Sequence, residues 1–170
     1  IAMSFAVNLP SFVSGYYPIH DTLTVFHFFS HYYSQLINTN ELPLWLPYTT
    51  YGMPIESYVL FSLGPFQYLT IAIGYLFKIQ NTLTLFSISL VGDTIFLAFG
   101  TYLLCNHIFK NYLVTCICVT FLLLLAQYDQ QLYWNFKVLI PIPMALYLGQ
   151  KWVESLNPVF LISGLATLLI

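Results

Sequence analysis

Apolar runs separated by short polar connectors make up most of this chain. Residues 1–13 are apolar, residues 14–58 are mixed, and apolar runs dominate residues 59–170. Such runs predict membrane helices, because about 20 consecutive apolar residues cross the hydrocarbon core of a bilayer. We therefore expect an all-α fold, a polytopic membrane helical bundle with one long loop that carries interfacial amphipathic helices.

The apolar runs after the loop differ in what interrupts them. They cover residues 59–77, 83–105, 113–126, 138–149 and 159–170. Gly64-Pro65 interrupts the first run, and the fourth contains two prolines, Pro141 and Pro143. Proline removes a backbone donor and breaks helices, so residues 59–77 are predicted either to span the membrane or to be re-entrant or interfacial.

The basic residues leave the orientation of the helices open. Each of the four predicted connectors contains one lysine: Lys78, Lys110, Lys137 and Lys151. Cytoplasmic connectors carry an excess of basic residues. If every run spans the membrane, Lys78 and Lys137 are cytoplasmic. If residues 59–77 do not cross it, Lys110 and Lys151 are cytoplasmic.

The long loop has a clearer charge signal. Residues 1–77 contain no Lys or Arg, whereas Asp21, Glu41 and Glu56 contribute three negative charges. The positive-inside rule therefore predicts that the loop of residues 14–58 is extracytoplasmic.

Composition supports the membrane interpretation and excludes one class of partner. The chain is 59% hydrophobic and only 6% charged, with a mean hydropathy of +0.78. We expect a multi-pass protein of the cell membrane whose partner is the lipid bilayer. A net charge of −2 without a single arginine argues against nucleic acid, which requires clustered basic residues.

The domain organisation predicted from these runs is a single transmembrane domain. Residues 1–13 form the end of a first span, residues 14–58 the extracytoplasmic loop, and residues 59–170 membrane helices with short connectors. Because the chain begins with Ile and stops within an apolar run, we expect it to be a fragment of a longer protein.

The first part of the loop predicts an amphipathic helix over residues 20–38. At 100° per residue its polar side chains fall on one face: His20, Thr24, His27, His31 and Asn38. Aromatic and aliphatic side chains occupy much of the remaining circumference. We expect the aromatic surface to rest among lipid headgroups, with the histidines turned toward water or a cleft.

The second part of the loop is rich in proline and aromatic residues. Pro43, Pro47 and Pro54 prevent a continuous helix, and Gly52 permits a tight turn. Prolines at this density restrict the backbone, which fixes the positions of Glu41 and Trp45. A tryptophan here is typical of the lipid–water boundary.

These residues carry a resemblance to a known family. An acidic residue, an aromatic-rich helix and the pattern Leu-Pro-x-Trp-x-Pro-x-x-x-x-Gly-x-Pro resemble the first extracytoplasmic loop of YfhO-type bacterial membrane proteins, which belong to the GT-C class of glycosyltransferases. The matching positions are Asp21, Leu42, Pro43, Trp45, Pro47, Gly52 and Pro54. Family members often have Asn where this chain has Leu46.

The resemblance implies a membrane enzyme that transfers a sugar from a polyprenyl-phosphate donor to an extracytoplasmic acceptor. It assigns Asp21 as the catalytic carboxylate, which either acts as general base or holds a divalent metal such as Mg²⁺ or Mn²⁺. It makes His20, Glu41 and Trp45 candidates for substrate binding. It also places Asp129 in that set, within a second predicted outward loop at residues 127–135 on the same membrane face.

Two alternatives without catalysis remain open. A transporter or lipid-handling protein would centre on Asp93, which lies near the middle of the run at residues 83–105. A carboxyl group at that depth is costly and usually faces a cavity or a partner. Small neighbours, Ser89, Gly92 and Gly100, instead favour close helix packing around a protonated Asp93. A non-catalytic membrane scaffold is the third interpretation.

Overall fold

A computed structural model of the protein describes residues 20–41, 45–46, 53–54, 63–128 and 139–168. These residues form six helices and one short antiparallel ladder. The helices are α1 His20–Thr39, α2 Pro65–Phe77, α3 Thr82–Phe109, α4 Tyr112–Tyr128, α5 Ile142–Ser155 and α6 Pro158–Leu168; the strands are β1 Trp45–Leu46 and β2 Met53–Pro54. Apart from this two-residue ladder, the described chain is all-α, as predicted. The predicted end of a first span, residues 1–13, lies outside the described residues.

The long helix α3 is the centre of the described chain. It has 28 residues and packs against α1, α2, α4 and α5, while α6 packs against α5. Within the described residues α3 alone is long and apolar enough to cross a membrane, with shorter apolar helices at Tyr112–Leu124 and Pro158–Leu168. At 1.5 Å per residue α3 is about 42 Å long, which exceeds the bilayer core of about 30 Å.

The fourth predicted run differs from the observed helix. Helix α5 begins at Ile142, directly after Pro141, and continues past Gly149 to Ser155. Lys151 therefore lies inside a helix, and its predicted place in a connector is wrong. Lys151 and Glu154 form an exposed ion pair within the last turns of this helix, which ends where Leu156 adopts the left-handed conformation.

The face of α1 that was predicted to rest among lipid headgroups packs against the protein instead. Phe29 and Tyr33 are fully buried, and Phe86 of α3 lies 5.5 Å from Phe29 between ring centroids. This burial is favourable because the aromatic surface of α1 finds apolar partners on α2 and α3. Of the predicted polar face, Thr24, His27 and Asn38 are exposed, whereas His31 is half-buried.

Apolar side chains also form exposed stripes on the outside of the described helices. On α6 they recur every three residues and are more than half exposed: Val159, Ile162, Leu165 and Leu168. Helix α4 has a similar stripe at Leu113, Ile117, Phe121 and Leu124. Large exposed apolar patches are rare on proteins surrounded by water and mark surfaces that contact membrane or protein.

Candidate functional site

A buried hydrogen-bonded pair joins α2 to the middle of α3. Asp93 is 4% exposed and Gln67 is completely buried. The Gln67 Nε2 donates to Asp93 Oδ2 at 3.0 Å, and Gln67 Oε1 accepts from the backbone N–H of Gly64 at 2.7 Å. Because the Gly64 N–H can only donate, it fixes the orientation of the amide. Asp93 Oδ2 is therefore the acceptor in this contact.

The local sequence explains why α2 begins at this point. Gly64 has extended backbone angles and Pro65 opens the helix, a position where proline fits because its missing N–H would have no partner within the helix. Phe66 packs directly over Gly92, where an added Cβ would lie 2.6 Å from the Phe66 ring. The start of α2 is thus held against α3 one residue from Asp93.

Helix α1 runs antiparallel to α3 and begins close to the same level. Two contacts show this direction. Tyr33, late in α1, donates its hydroxyl hydrogen to the carbonyl oxygen of Ile79, just before α3. Phe26, earlier in α1, lies against Phe86 within α3, with 5.3 Å between ring centroids. From Phe26 to the start of α1 is about 9 Å, and from Phe86 to Asp93 is about 10 Å. The first turn of α1 therefore lies nearly level with Asp93, and Thr22 in that turn is buried.

Two further helix ends approach this level. Helix α4 begins at Tyr112, two residues after the turn that ends α3, and packs back along α3, so its 17 residues end within about one turn of the level of Asp93. The backbone of Met144 packs against Gly100, where an added Cβ would lie 2.8 Å from the Met144 nitrogen. Helix α5 therefore begins about 7 Å from the level of Asp93.

We call this region the central layer: the Gln67–Asp93 pair together with the starts of α1, α2 and α5 and the end of α4. Several of its buried side chains are polar, beside apolar ones such as Val91 and Met144. Five of the buried polar residues are Thr22, Gln67, Thr70, Ser89 and Asp93. Such residues are stabilising inside a protein only when they are hydrogen-bonded, as Gln67, Thr70 and Ser89 are here.

The structure separates the predicted site residues into two groups. His20 and Asp21 are the first two residues of α1 and so begin in the central layer; their side chains lie outside the described residues, as does Asp129. Asp129 directly follows Tyr128, the last residue of α4. Glu41 is exposed beyond the opposite end of α1, about 30 Å from Asp21 along the helix.

Trp45 belongs to the short ladder, where it pairs with Pro54 while Leu46 pairs with Met53. The ladder is antiparallel, and the turn predicted at Gly52 lies outside the described residues. The side chain of Trp45 lies outside the described residues. Its role in substrate binding remains a prediction, and Glu41 is not brought together with Asp21.

Sequence reasoning missed Gln67. It is a polar residue in the otherwise uncharged run at residues 59–77, three positions after Gly64. A Gln at the third position of a helix that opens with proline is a known capping signal, because its side chain reaches back to the backbone. That spacing could have pointed to a buried role near the start of α2.

The described residues do not show a metal centre. Among them, no three His, Cys, Asp or Glu side chains lie close enough to hold a metal ion. Since the side chain of Asp21 lies outside these residues, its predicted coordination of Mg²⁺ or Mn²⁺ stays a prediction.

A second polar cluster lies at the far end of α3. His107 Nε2 lies 2.8 Å from Glu154 Oε1, and Lys151 Nζ lies 2.9 Å from Glu154 Oε2. The hydrogen bond from Lys151, aided by the charge of His107, holds the pKa of Glu154 below its ordinary value of 4.5. This cluster borders a groove of about 730 Å³ and ties the end of α5 to α3.

Comparison with protein-family models, with curated proteins and with solved structures found no significant match to this chain.

Proposed function

We propose that this chain belongs to a multi-pass protein of the cell membrane in which α3 spans the bilayer. The length and composition of α3 support this, as do the exposed apolar stripes on α4 and α6. Helix α2 is about 20 Å long and begins beside the middle of α3, which supports the arrangement in which residues 59–77 do not cross. Lys110 and Lys151 then lie at the cytoplasmic end of α3, and the loop of residues 14–58 is extracytoplasmic.

We further propose that the protein is a GT-C type glycosyltransferase that moves a sugar from a polyprenyl-phosphate donor to an extracytoplasmic acceptor. The observation that carries this proposal is the central layer. Asp21, in the first turn of α1, is nearly level with Asp93, and α4, whose last residue Tyr128 precedes Asp129 in the sequence, ends within about one turn of that level. Each of the two predicted outward loops thus has an acidic residue that is in, or next in sequence to, a helix end at the central layer.

In this proposal Asp21 accepts the proton of the attacking hydroxyl group as its oxygen bonds to the sugar carbon, and the polyprenyl phosphate leaves. His20 beside it hydrogen-bonds the phosphate or the acceptor, and Asp129 binds substrate. If Asp21 held a divalent metal instead of acting as the base, the metal would offset the negative charge of the lipid phosphate. The hydrocarbon chain of the donor is too apolar to leave the bilayer, so in this proposal its phosphate and sugar reach Asp21 in the central layer from the extracytoplasmic side.

The Trp45–Pro54 ladder supports the same proposal. It pairs Trp45 with Pro54, two positions of the motif on which the family resemblance rests. A segment that only linked two helices would not need three prolines and an antiparallel pairing. We propose that this fixed turn positions Trp45 for the lipid-linked donor.

A specific observation favours transport as the second candidate. Helices α2 and α5 are both short, both follow prolines or begin with one, and both begin beside the middle of α3 near Asp93. Discontinuous helices whose ends meet near the bilayer midplane are typical of transporter binding sites. In that case Asp93 rather than Asp21 is the central residue.

The test uses full-length protein purified and reconstituted into vesicles with a polyprenyl-phosphate-linked sugar and candidate acceptors. Sugar transfer that needs the protein supports the enzyme. Movement of a solute or lipid across the bilayer without sugar transfer, abolished by Asp93→Asn, supports transport and contradicts the enzyme.

A further inference from the structure

A polar pocket of about 440 Å³ lies at the end of α3 opposite the His107–Glu154 cluster. It forms where the last turns of α1 pass the connection between α2 and α3. Its lining is Tyr33, Ser34, Ile37, Asn38, Lys78, Gln80 and Thr82. The pocket is separate from the central layer, because Gln80 and Asp93 are about 20 Å apart along α3.

The backbone around this pocket is held in place by several hydrogen bonds. Lys78 ends α2 in the left-handed conformation, with φ of 51°, and Ile79 N–H donates to Gly74 O at 3.0 Å. The Tyr33 hydroxyl donates to Ile79 O, which ties α1 to this turn. Asn81 then caps α3 by accepting from Thr84 N–H at 3.0 Å. The pocket is therefore a fixed feature of the junction.

The chemistry of the lining favours an anionic ligand. Lys78 is its charged member, and the salt bridges of the described residues do not pair Lys78 with a carboxylate. Ser34, Asn38, Gln80 and Thr82 contribute neutral hydroxyl and amide groups. One ammonium group surrounded by neutral donors suits the oxygens of a phosphate.

Exposed apolar side chains precede Lys78 in the sequence. Leu76 and Phe77, the residues just before Lys78, are 74% and 75% exposed. A ligand with its phosphate at Lys78 can place a hydrocarbon chain along these side chains. Because α3 is proposed to span the bilayer, its end lies where lipid headgroups are found.

We propose that this pocket binds the phosphate of an anionic membrane phospholipid, with the acyl chain against Leu76 and Phe77. The inference rests on the proposed membrane placement but not on sugar transfer. A reacting donor does not fit here, because its sugar is attached at the phosphate and would lie about 20 Å from the central layer. The lipid at this pocket therefore holds α1, α2 and α3 together at the membrane surface.

The test measures binding of short-chain phosphatidic acid to full-length protein in a neutral detergent. Lys78→Gly should weaken binding about fivefold, the amount expected for one lysine at a membrane surface. This variant should fold at least as well as the parent, since glycine prefers the left-handed conformation that Lys78 adopts. Lys110→Gly is the matched control: Lys110 ends α3 with φ of 50° and does not line the pocket.

Unchanged affinity in Lys78→Gly, or an equal loss in Lys110→Gly, would overturn the proposal. Three further ligands identify the source of the phosphate. Phosphatidylcholine should bind more weakly than phosphatidic acid; equal binding contradicts an anionic site. Inorganic phosphate that binds as tightly, or polyprenyl phosphate that binds more tightly, contradicts the phospholipid assignment. Asp21→Asn should bind phosphatidic acid like the parent, so loss of the proposed transferase activity and loss of this site are distinguishable.

Discussion

At the scale of single residues, Gln67 connects the start of α2 to a buried carboxyl group. Its amide oxygen accepts from the backbone N–H of Gly64, and its amide nitrogen donates to Asp93. A hydrophobic residue of similar size would leave both of these groups without this partner in a buried setting. Buried polar groups that lose a partner are costly because water cannot replace it.

Gln67→Leu should therefore lower the free energy of unfolding by about 1–3 kcal/mol for each partner left unsatisfied. The measurement is thermal unfolding of the full-length protein in mild detergent. Gln35→Leu, on the exposed side of α1, is the matched control and should have little effect. Equal stability of parent and Gln67→Leu would show that the pair does not hold α2 in place.

At the scale of helices, glycines decide how closely α3 meets its neighbours. Gly92 admits Phe66 of α2, and Gly100 admits the backbone of Met144 in α5. Gly149 in α5 is different, because nothing lies within 4 Å of the position an added Cβ would take. The same substitution should thus have opposite effects at two of these sites.

Gly100→Ala should destabilise the protein by about 1–3 kcal/mol, since the α5 backbone would have to move away. Gly149→Ala should stabilise it by up to about 1 kcal/mol through helix propensity alone. Unfolding midpoints of the two variants in the same detergent test this contrast. If both alanines are tolerated equally, α5 does not approach α3 as closely as described.

The contact between the ends of α3 and α5 should depend on pH. The Lys151 hydrogen bond and the His107 charge lower the pKa of Glu154 in the folded protein, so folding favours its charged form. The resulting stability is fully present above the ordinary pKa of 4.5 and is lost as pH falls through the lower folded value.

The unfolding midpoints of the parent and Glu154→Gln should therefore differ most near neutral pH and converge in acid. Glu41→Gln, an exposed carboxylate beyond α1, should show no such convergence; identical pH profiles for all three would contradict the assignment.

At the scale of the whole molecule, sequence patterns predicted the helices better than their contacts. The apolar run at residues 83–105 correctly predicted α3, and the polar positions at residues 20–38 predicted much of the exposed face of α1. The aromatic face of α1 was misassigned to lipid because periodicity identifies a buried face without naming what covers it. Gln67 and Asp93 are 26 positions apart, and their pairing depends on how α2 folds back along α3. Among the predicted site residues, the helix boundaries place Asp21 in the central layer and Glu41 far from it.

The proposed orientation can be tested by labelling in intact cells. In a background without Cys105, Cys116 and Cys118, a cysteine at Thr39 should react with an impermeant thiol reagent added from outside. A cysteine at Tyr112, the first residue of α4, should react only after permeabilisation. Thr39 and Tyr112 are both exposed and lie toward opposite ends of α3. The reverse labelling pattern would show that the loop of residues 14–58 is cytoplasmic.

The central claim is that Asp21, at the start of α1 in the central layer, is the catalytic carboxylate. The most direct measurement is the rate of sugar transfer from a polyprenyl-phosphate donor by full-length Asp21→Asn, with its membrane level checked against the parent. Asparagine keeps the size of the side chain but cannot accept the proton of the acceptor, so the rate should fall about 10²–10⁴-fold at an unchanged membrane level. A variant that accumulates normally and transfers sugar at the parental rate would contradict the account.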